Sequence, residues 1–175
     1  MNSSQLLAMI PLVPLLAMLA VFATARWPNV REAVSVLAGL LLFGLVVMLV
    51  RQVDSQAAPT FVLAEPFPGL ALALSPEPLG MLFALVASFL WPVTTVYSIG
   101  YMRAHHEENQ TRFYAAFAAS IAATMGIALA SNMLTLFLFY ELLTLATYPL
   151  VTHAGDADAR RGGRVYLGLL MSTSI

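Results

Sequence analysis

Hydrophobic and polar residues separate along the chain into long apolar runs joined by short polar connections. A helix needs about 20 predominantly apolar residues to cross a bilayer. The pattern therefore predicts an all-α fold: a polytopic membrane helix bundle that forms one transmembrane domain over residues 1–175. Five complete spans are predicted, at about 5–24, 33–50, 79–98, 113–130 and 133–151. A last apolar stretch at 165–175 predicts the start of a truncated sixth helix, because it is too short to cross.

The fourth and fifth spans come from one apolar region, residues 113–151, which is too long for a single crossing. Ser131-Asn132 lies near its middle and is typical of a tight turn between two helices. After the fifth span, Asp156–Arg164 is predicted to be a solvated connector.

The longest connection, from Arg51 to Glu77, is too polar and too often interrupted by proline to cross the bilayer. Short extended pieces are predicted within it at Thr60–Leu63 and Leu70–Leu74, at the membrane surface.

Arginine placement predicts the orientation of the bundle. The connections after the first, third and fifth predicted spans carry seven of the eight arginines, and Arg51 alone lies in the other set. By the positive-inside rule the arginine-rich connections are cytoplasmic, which places the N-terminus outside. The arginines of the cytoplasmic set are Arg26, Arg31, Arg103, Arg112, Arg160, Arg161 and Arg164.

Composition narrows the function classes. Apolar residues make up 60% of the 175 and charged residues 10%, against about 25% charged in a soluble domain. The chain has no lysine and a net charge of −1, so a nucleic-acid partner is not expected. It has no cysteine, which excludes disulfides, iron–sulfur clusters and cysteine-based zinc sites. No cofactor is predicted, and His105-His106-Glu107-Glu108 is interpreted as a solvated loop rather than a metal site.

One acidic residue interrupts an apolar span. Glu141 lies eight residues into the fifth predicted span, roughly 12 Å along the helix and close to the middle of the hydrocarbon. A carboxylate at that depth must be neutral, paired or hydrated. We interpret Glu141 as a proton- or cation-handling group. The alternative is a structural glutamate that caps a polar residue of a neighbouring helix.

Three polar residues extend the hypothesis towards the cytoplasmic side. Thr144 and Tyr148 lie on the same helix face as Glu141 and are candidate partners of its carboxylate or of a water chain. His153, just past the span, is a candidate proton donor because histidine titrates near neutral pH. Ordinary interhelical bonding for the hydroxyls and a surface position for His153 are the alternatives.

The fourth predicted span is rich in small residues at four-residue spacing, which allows neighbouring helices to approach closely. We expect this helix to be buried within the bundle. The two rows are Ala115, Ala119 and Ala123, and Ala118, Ala122, Gly126 and Ala130.

Three sequence stretches resemble a known family. They are YSIGYM at 97–102, LTLFLFYELLTLATYPLVTH at 134–153 and LSPEPLGMLFAL at 74–85. Together they resemble the antiporter-like subunits shared by Mrp-type cation/proton antiporters, respiratory complex I and membrane-bound hydrogenases. The TLATYPLVTH ending and the following RRGGRVYL are most similar to the D-type members of the Mrp group and their hydrogenase relatives. The resemblance runs from about residue 74 to the end and extends more weakly over the first two spans.

The resemblance implies a fold of many helices in inverted repeats and a role in proton translocation. In the family, a glutamate of the fifth helix pairs with a lysine of the seventh, and Glu141 matches the glutamate. No lysine is present, so the cationic partner has no counterpart and the chain is expected to be the N-terminal portion of a longer subunit.

The expected function is a proton-translocating subunit of a monovalent cation/proton antiporter in the inner, cytoplasmic membrane. Its expected partners are other hydrophobic subunits, the bilayer and protons, with sodium as a candidate ion. Two alternatives stay open: a membrane-arm subunit of a redox complex, without a redox site of its own, and a purely structural membrane subunit.

Overall fold

The computed structural model describes residues 2–53 and 59–174. Within these ranges the chain folds into helices and one β-hairpin. The helices are α1 (Ser3–Ala23), α2 (Pro28–Gln52), α3 (Pro78–Ala104), α4 (Gln110–Ala128), α5 (Met133–Val151) and α6 (Ala157–Ser174). The hairpin strands, between α2 and α3, are β1 (Phe61–Phe67) and β2 (Leu70–Leu74).

Four of these helices are long and apolar enough to cross a membrane: α1, α2, α3 and α5. The chain is therefore a multi-pass membrane protein with a predominantly helical fold. The helix α4 is not among the four, because it begins with the polar residues Gln110, Thr111 and Arg112 and is otherwise rich in alanine.

The helix α4 lies at the centre of the bundle, against α1, α3 and α5. Most of its small residues are buried, which confirms the expectation of a closely packed helix. Larger apolar side chains from its neighbours complete the core, including Leu6, Ile10 and Trp91. At Gly126 the ring of Phe139 occupies the space that a Cβ atom would need, so α4 and α5 are in close contact there.

The β-hairpin corrects the all-α prediction. β1 and β2 pair antiparallel over the two short extended pieces that the sequence predicted, and the pairing continues to Phe67 opposite Leu70. An isolated hairpin is marginally stable, and this one is held by the α4–α5 turn. The amide of Ser75 donates to the carbonyl of Leu129 (2.7 Å), and the amide of Ser131 donates to the carbonyl of Ala73 (3.0 Å).

The predicted turn at Ser131-Asn132 is confirmed, since α4 ends at Ala128 and α5 begins at Met133. The Asn132 side chain caps α5 by accepting from the amide of Thr135 (2.9 Å) and also donates to the carbonyl of Ala71 (2.7 Å). One residue therefore both starts α5 and binds the hairpin.

Two helices begin before the apolar runs that predicted them. α2 begins at Pro28 rather than at residue 33, because proline is favoured in the first turn of a helix. α6 begins at Ala157 rather than at 165, and the Asp156 carboxylate caps it by accepting from the amide of Ala159 (2.6 Å). The predicted connector Asp156–Arg164 is therefore helical from Ala157 onward.

The connections sort to the two ends of the bundle as the arginine pattern predicts. Phe61 of the hairpin lies beside Ser4 and Gln5 at the start of α1, so the N-terminus and the hairpin share one end. At the opposite end, Arg31 contacts Gln110 at the start of α4, and Arg112 contacts carbonyl groups that follow α5.

Close helix contact at Gly80 gives a stability prediction. A Cβ atom there would lie 1.9 Å from the carbonyl oxygen of Ala128, a backbone atom that cannot rotate away. We expect Gly80→Ala to lower stability by about 1–3 kcal/mol, the usual cost of overpacking. Thermal unfolding in detergent measures this. Gly100→Ala on the same helix is the control, because nothing lies within 4 Å of its Cβ position, and an equal loss there would contradict the explanation.

Candidate functional site

Glu141 lies at the middle of α5, at the ninth of its 19 residues. Both carboxylate oxygens are buried, and neither accepts a hydrogen bond from any residue in the described ranges 2–53 and 59–174. A buried carboxylate without donors is costly while it carries a charge. The structure therefore leaves Glu141 as a buried carboxyl group without a hydrogen-bond partner among the described residues.

The apolar side of α5 supplies no such partner. A cavity of about 330 Å³ lies between α1, α4 and α5, and its lining is apolar. Leu142 and Ala146 of α5 face this cavity, whereas Glu141 does not line it. The carboxylate is therefore not part of the lining of this cavity.

Thr144 does not bond to Glu141 in this structure. Its side chain is buried, and its hydroxyl donates to the carbonyl of Tyr140 one turn earlier (3.2 Å). Local back-bonding of this kind is common for threonine within helices. Tyr148, the second predicted neighbour, lies nearer the end of α5 and contacts α6, where its ring packs against Gly163.

His153 follows the end of α5 and is largely buried. Its ring packs edge-on against Phe113 with 5.5 Å between centroids, and its Nε2 lies 4.0 Å from Oε2 of Glu107. Neither ring nitrogen forms a hydrogen bond within the described part of the chain. His153 is 12 residues from Glu141, or about 18 Å along a helix, so the structure does not bring these two side chains together.

Arg112 forms hydrogen bonds with the same end of α5. Its Nη2 atom donates to the carbonyl of Thr152 (2.9 Å) and lies within 3.5 Å of the carbonyls of Pro149 and His153. The last carbonyls of a helix have no intrahelical donor and carry partial negative charge, which a cation stabilises. Arg112 therefore fixes the end of the helix that carries Glu141.

The burial of Arg31 was not evident from the sequence. This residue lies at the end of the bundle that carries seven of the eight arginines, which we call the arginine-rich end. Arg31 is only 5% exposed and lies in the first turns of α2. Its guanidinium donates to Thr111 Oγ1 (2.9 Å) and Gln110 Oε1 (2.7 Å), and it lies 5.3 Å from the ring centroid of Tyr114. These contacts tie α2 to the start of α4.

The neighbouring Glu32 is equally buried and pairs with Arg103 at the end of α3. Arg103 Nε donates to Glu32 Oε1 (3.2 Å), and an Nη atom donates to the other carboxylate oxygen and to Asn29. The bidentate geometry satisfies a carboxylate that would otherwise be costly to bury. The sequence did contain one signal for this burial. Proline is favoured in the first turn of a helix, so Pro28 predicts that Arg31 and Glu32 lie within α2 rather than in the preceding connection.

These interactions link α2, α3 and α4 into one charged cluster, formed by Arg31, Glu32 and Arg103. The described residues contain no group of three or more histidine, cysteine, aspartate or glutamate side chains arranged to hold a metal ion. The loop at 105–109 connects α3 and α4, and His105 and His106 are exposed.

Comparison with known proteins finds relatives of part of this chain among antiporter subunits. Over 91 residues the chain is 31% identical to the Na(+)/H(+) antiporter subunit A1 of Staphylococcus aureus strain bovine RF122 / ET3-1, and equally to that of strain JH9. The matched part of this chain is homologous to an antiporter subunit. The match covers 52% of this chain and 11% of each relative, so the chain corresponds to a small part of their length. No family model matches.

A solved structure shows the same fold. A chain of the membrane-bound sulfane sulfur reductase (MBS), an archaeal respiratory membrane complex, superposes on 94% of this chain with a TM-score of 0.80 and 18% identity. The superposition covers 34% of that chain. The homology to an antiporter subunit and the shared fold confirm the resemblance to the antiporter-like family over the matched part of the chain. The narrower similarity to D-type members of the Mrp group stays a prediction.

The charged cluster gives a prediction about stability. We expect Arg31→Leu to destabilise the fold by about 3 kcal/mol, because two charge-assisted hydrogen bonds are lost and Gln110 and Thr111 lose their donor. Thermal unfolding and the yield of folded protein measure this. Arg26→Leu is the matched control because Arg26 is exposed. Equal effects of the two variants would show that positive charge alone matters.

Proposed function

We propose that this chain acts as part of a proton-translocating, antiporter-like membrane subunit of a monovalent cation/proton antiporter complex. The homology to a Na(+)/H(+) antiporter subunit and the fold shared with a respiratory membrane complex support this function. Other hydrophobic subunits are its proposed partners, and protons with sodium are its proposed ions. The inner, cytoplasmic membrane is its proposed location.

The observation that carries the proposal is Glu141 with both oxygens buried and unpartnered within the described residues. A low-dielectric environment favours the protonated carboxyl, whereas a nearby cation favours the ionised form. A cation that approaches Glu141 would therefore release its proton, and a cation that leaves would allow Glu141 to take one up. The chain has no lysine, so the cation would come from an arginine, a transported ion or another segment.

The membrane topology follows from the same proposal. We place α4 across the membrane as well, which makes five complete spans with the N-terminus outside. Its 19 residues are long enough to cross, and it lies between the apolar helices α1, α3 and α5. Its small, weakly apolar residues suit a helix that contacts protein rather than lipid.

Three polar residues would connect Glu141 to the cytoplasmic side. Tyr148 and Thr144 follow it along α5, and His153 lies buried at the end with Glu107 close by. About 18 Å separates Glu141 from His153 along the helix, so the route requires water between them. His153 would take up protons at the entrance and pass them inward.

The shared fold favours one second candidate, a membrane-arm subunit of a proton-pumping redox complex. The solved chain of the same fold belongs to an archaeal respiratory membrane complex. This chain has no cysteine to hold an iron–sulfur cluster, so electrons would pass through other subunits. Iron–sulfur subunits that co-purify in mild detergent would favour this candidate over an antiporter.

We expect Glu141→Gln to reduce cation-driven proton flux at least about tenfold in vesicles that contain the assembled complex, because the amide cannot release a proton. Glu141→Asp should retain part of the flux, since it keeps a titratable group. Dye-reported pH change after a cation pulse measures both.

The control is Glu65→Gln, which removes an exposed carboxylate of the hairpin and should leave flux unchanged. Undiminished flux in Glu141→Gln would refute the proton-handling role. Unchanged flux per assembled complex, together with poor assembly, would favour a purely structural subunit.

For His153, we expect His153→Gln to lower the flux severalfold, because the glutamine amide cannot take up and release a proton. His106→Gln is the matched control because it removes an exposed histidine from the adjoining loop. Undiminished flux in His153→Gln would exclude His153 from the path.

A further inference from the structure

The contact between α5 and α6 is unusually close at the arginine-rich end. Gly163 of α6 is buried, and a Cβ atom there would lie 2.3 Å from Thr152 Cγ2 and 3.1 Å from Tyr148 Cε2. A hydrogen bond of 3.0 Å between Thr147 Oγ1 and the Tyr166 hydroxyl joins the same two helices. These contacts hold the first turns of α6 in a defined position beside α5.

An open cavity of about 490 Å³ lies beside this contact, lined by Tyr148, Ala157, Arg160 and Arg164. Arg160 and Arg164 are one helical turn apart and therefore lie on one face of α6. Arg160 donates through Nε and Nη2 to the carbonyl of Gly155 (3.1 and 2.8 Å), which orients its guanidinium. Arg164 is exposed and has no ion pair or hydrogen bond with the residues that the structure describes.

The charge of this cavity is not balanced by its own lining. Like charges at i and i+4 destabilise a helix, so the two arginines are an unfavourable pair in the absence of an anion. Neither Asp156 nor Asp158 lines the cavity, and the Asp156 carboxylate caps α6 instead. The cavity therefore has two guanidinium groups and a phenol, and an anion that accepts several hydrogen bonds fits this donor set.

We propose that this cavity binds the phosphodiester headgroup of an anionic phospholipid. Phosphate accepts the paired N–H groups of a guanidinium, and basic pockets between helices on the cytoplasmic side are typical sites for such headgroups. Leu167 and Met171, which follow Arg160 by seven and eleven residues and so lie on the same face of α6, are partly exposed and offer an apolar surface to the acyl chains. This surface favours a lipid over a soluble phosphate.

Native mass spectrometry of the full chain in its complex tests the site. The protein would be released from nanodiscs of phosphatidylcholine that contain phosphatidylglycerol as the minor lipid. We expect retained phosphatidylglycerol in the unaltered protein, and about tenfold weaker retention in Arg160→Gln/Arg164→Gln, as expected for lost charge-assisted bonds. Arg161→Gln is the matched control: it removes the same charge from the same turn but does not line the cavity.

Any one of the following outcomes would contradict the proposal. Equal loss in Arg161→Gln would mean attraction by general surface charge. Equal retention of phosphatidylcholine, or unchanged retention in the double variant, would exclude a headgroup site. Displacement of the lipid by millimolar inorganic phosphate, with no effect of lipid chains, would mean a soluble-anion site.

Two further variants separate lipid binding from misfolding and from proton transfer. Arg160→Lys/Arg164→Lys keeps the charge and should retain more lipid than the glutamine pair, whereas equally poor retention in both pairs, with thermal unfolding unchanged, would contradict the site. Glu141→Gln should retain lipid normally, so the lipid site and the proposed proton function can fail independently of each other.

Discussion

The positions of α1, α3 and α5 depend on how closely each of these helices can approach α4. Lipid chains are as apolar as leucine, so helices in a membrane associate through close van der Waals packing rather than through a hydrophobic driving force between them. Alanine and glycine along α4 allow that packing on several sides at once. The ring of Phe139 fits against Gly126, and the carbonyl of Ala128 lies where a side chain at Gly80 would be. The rotation of α5, and with it the direction of Glu141, follows from this packing.

Local patterns predicted the parts of the fold that depend on local physics. Apolar runs located the four helices that are long and apolar enough to cross a membrane, and turn-forming residues at Ser131-Asn132 located the break between α4 and α5. The helix starts were missed at α2 and α6, because polar residues at the beginning of a helix look the same as a loop when only hydropathy is considered. The burial of Glu32 depends on Arg103, 71 residues away, and no local pattern shows such a pair.

The candidate site also divides into a part that the local sequence predicts and a part that depends on packing between helices. Glu141 was evident from the sequence, because a lone carboxylate in an apolar span stands out wherever the helix packs. Its surroundings were not evident. Thr144 lies on the expected face, yet its hydroxyl bonds to the backbone of its own helix, and that short-range partner competes with any side chain across the bundle. Which side chain a hydroxyl contacts is decided by distances between helices that spacing along one helix cannot supply.

The two ends of α5 are anchored very differently from its middle. At the start, Asn132 bonds to the hairpin and Thr135 Oγ1 accepts from the amide of Ala73; at the end, Arg112 bonds to the final carbonyls. Between these anchors, most side chains of the helix are at least partly exposed, and Thr144 is a buried exception. Hydrogen bonds to other elements therefore fix where α5 begins and ends, and its middle is positioned by packing against α4. Glu141 lies in that middle part, so its carboxylate is placed by side-chain packing and not by a hydrogen bond to any described residue.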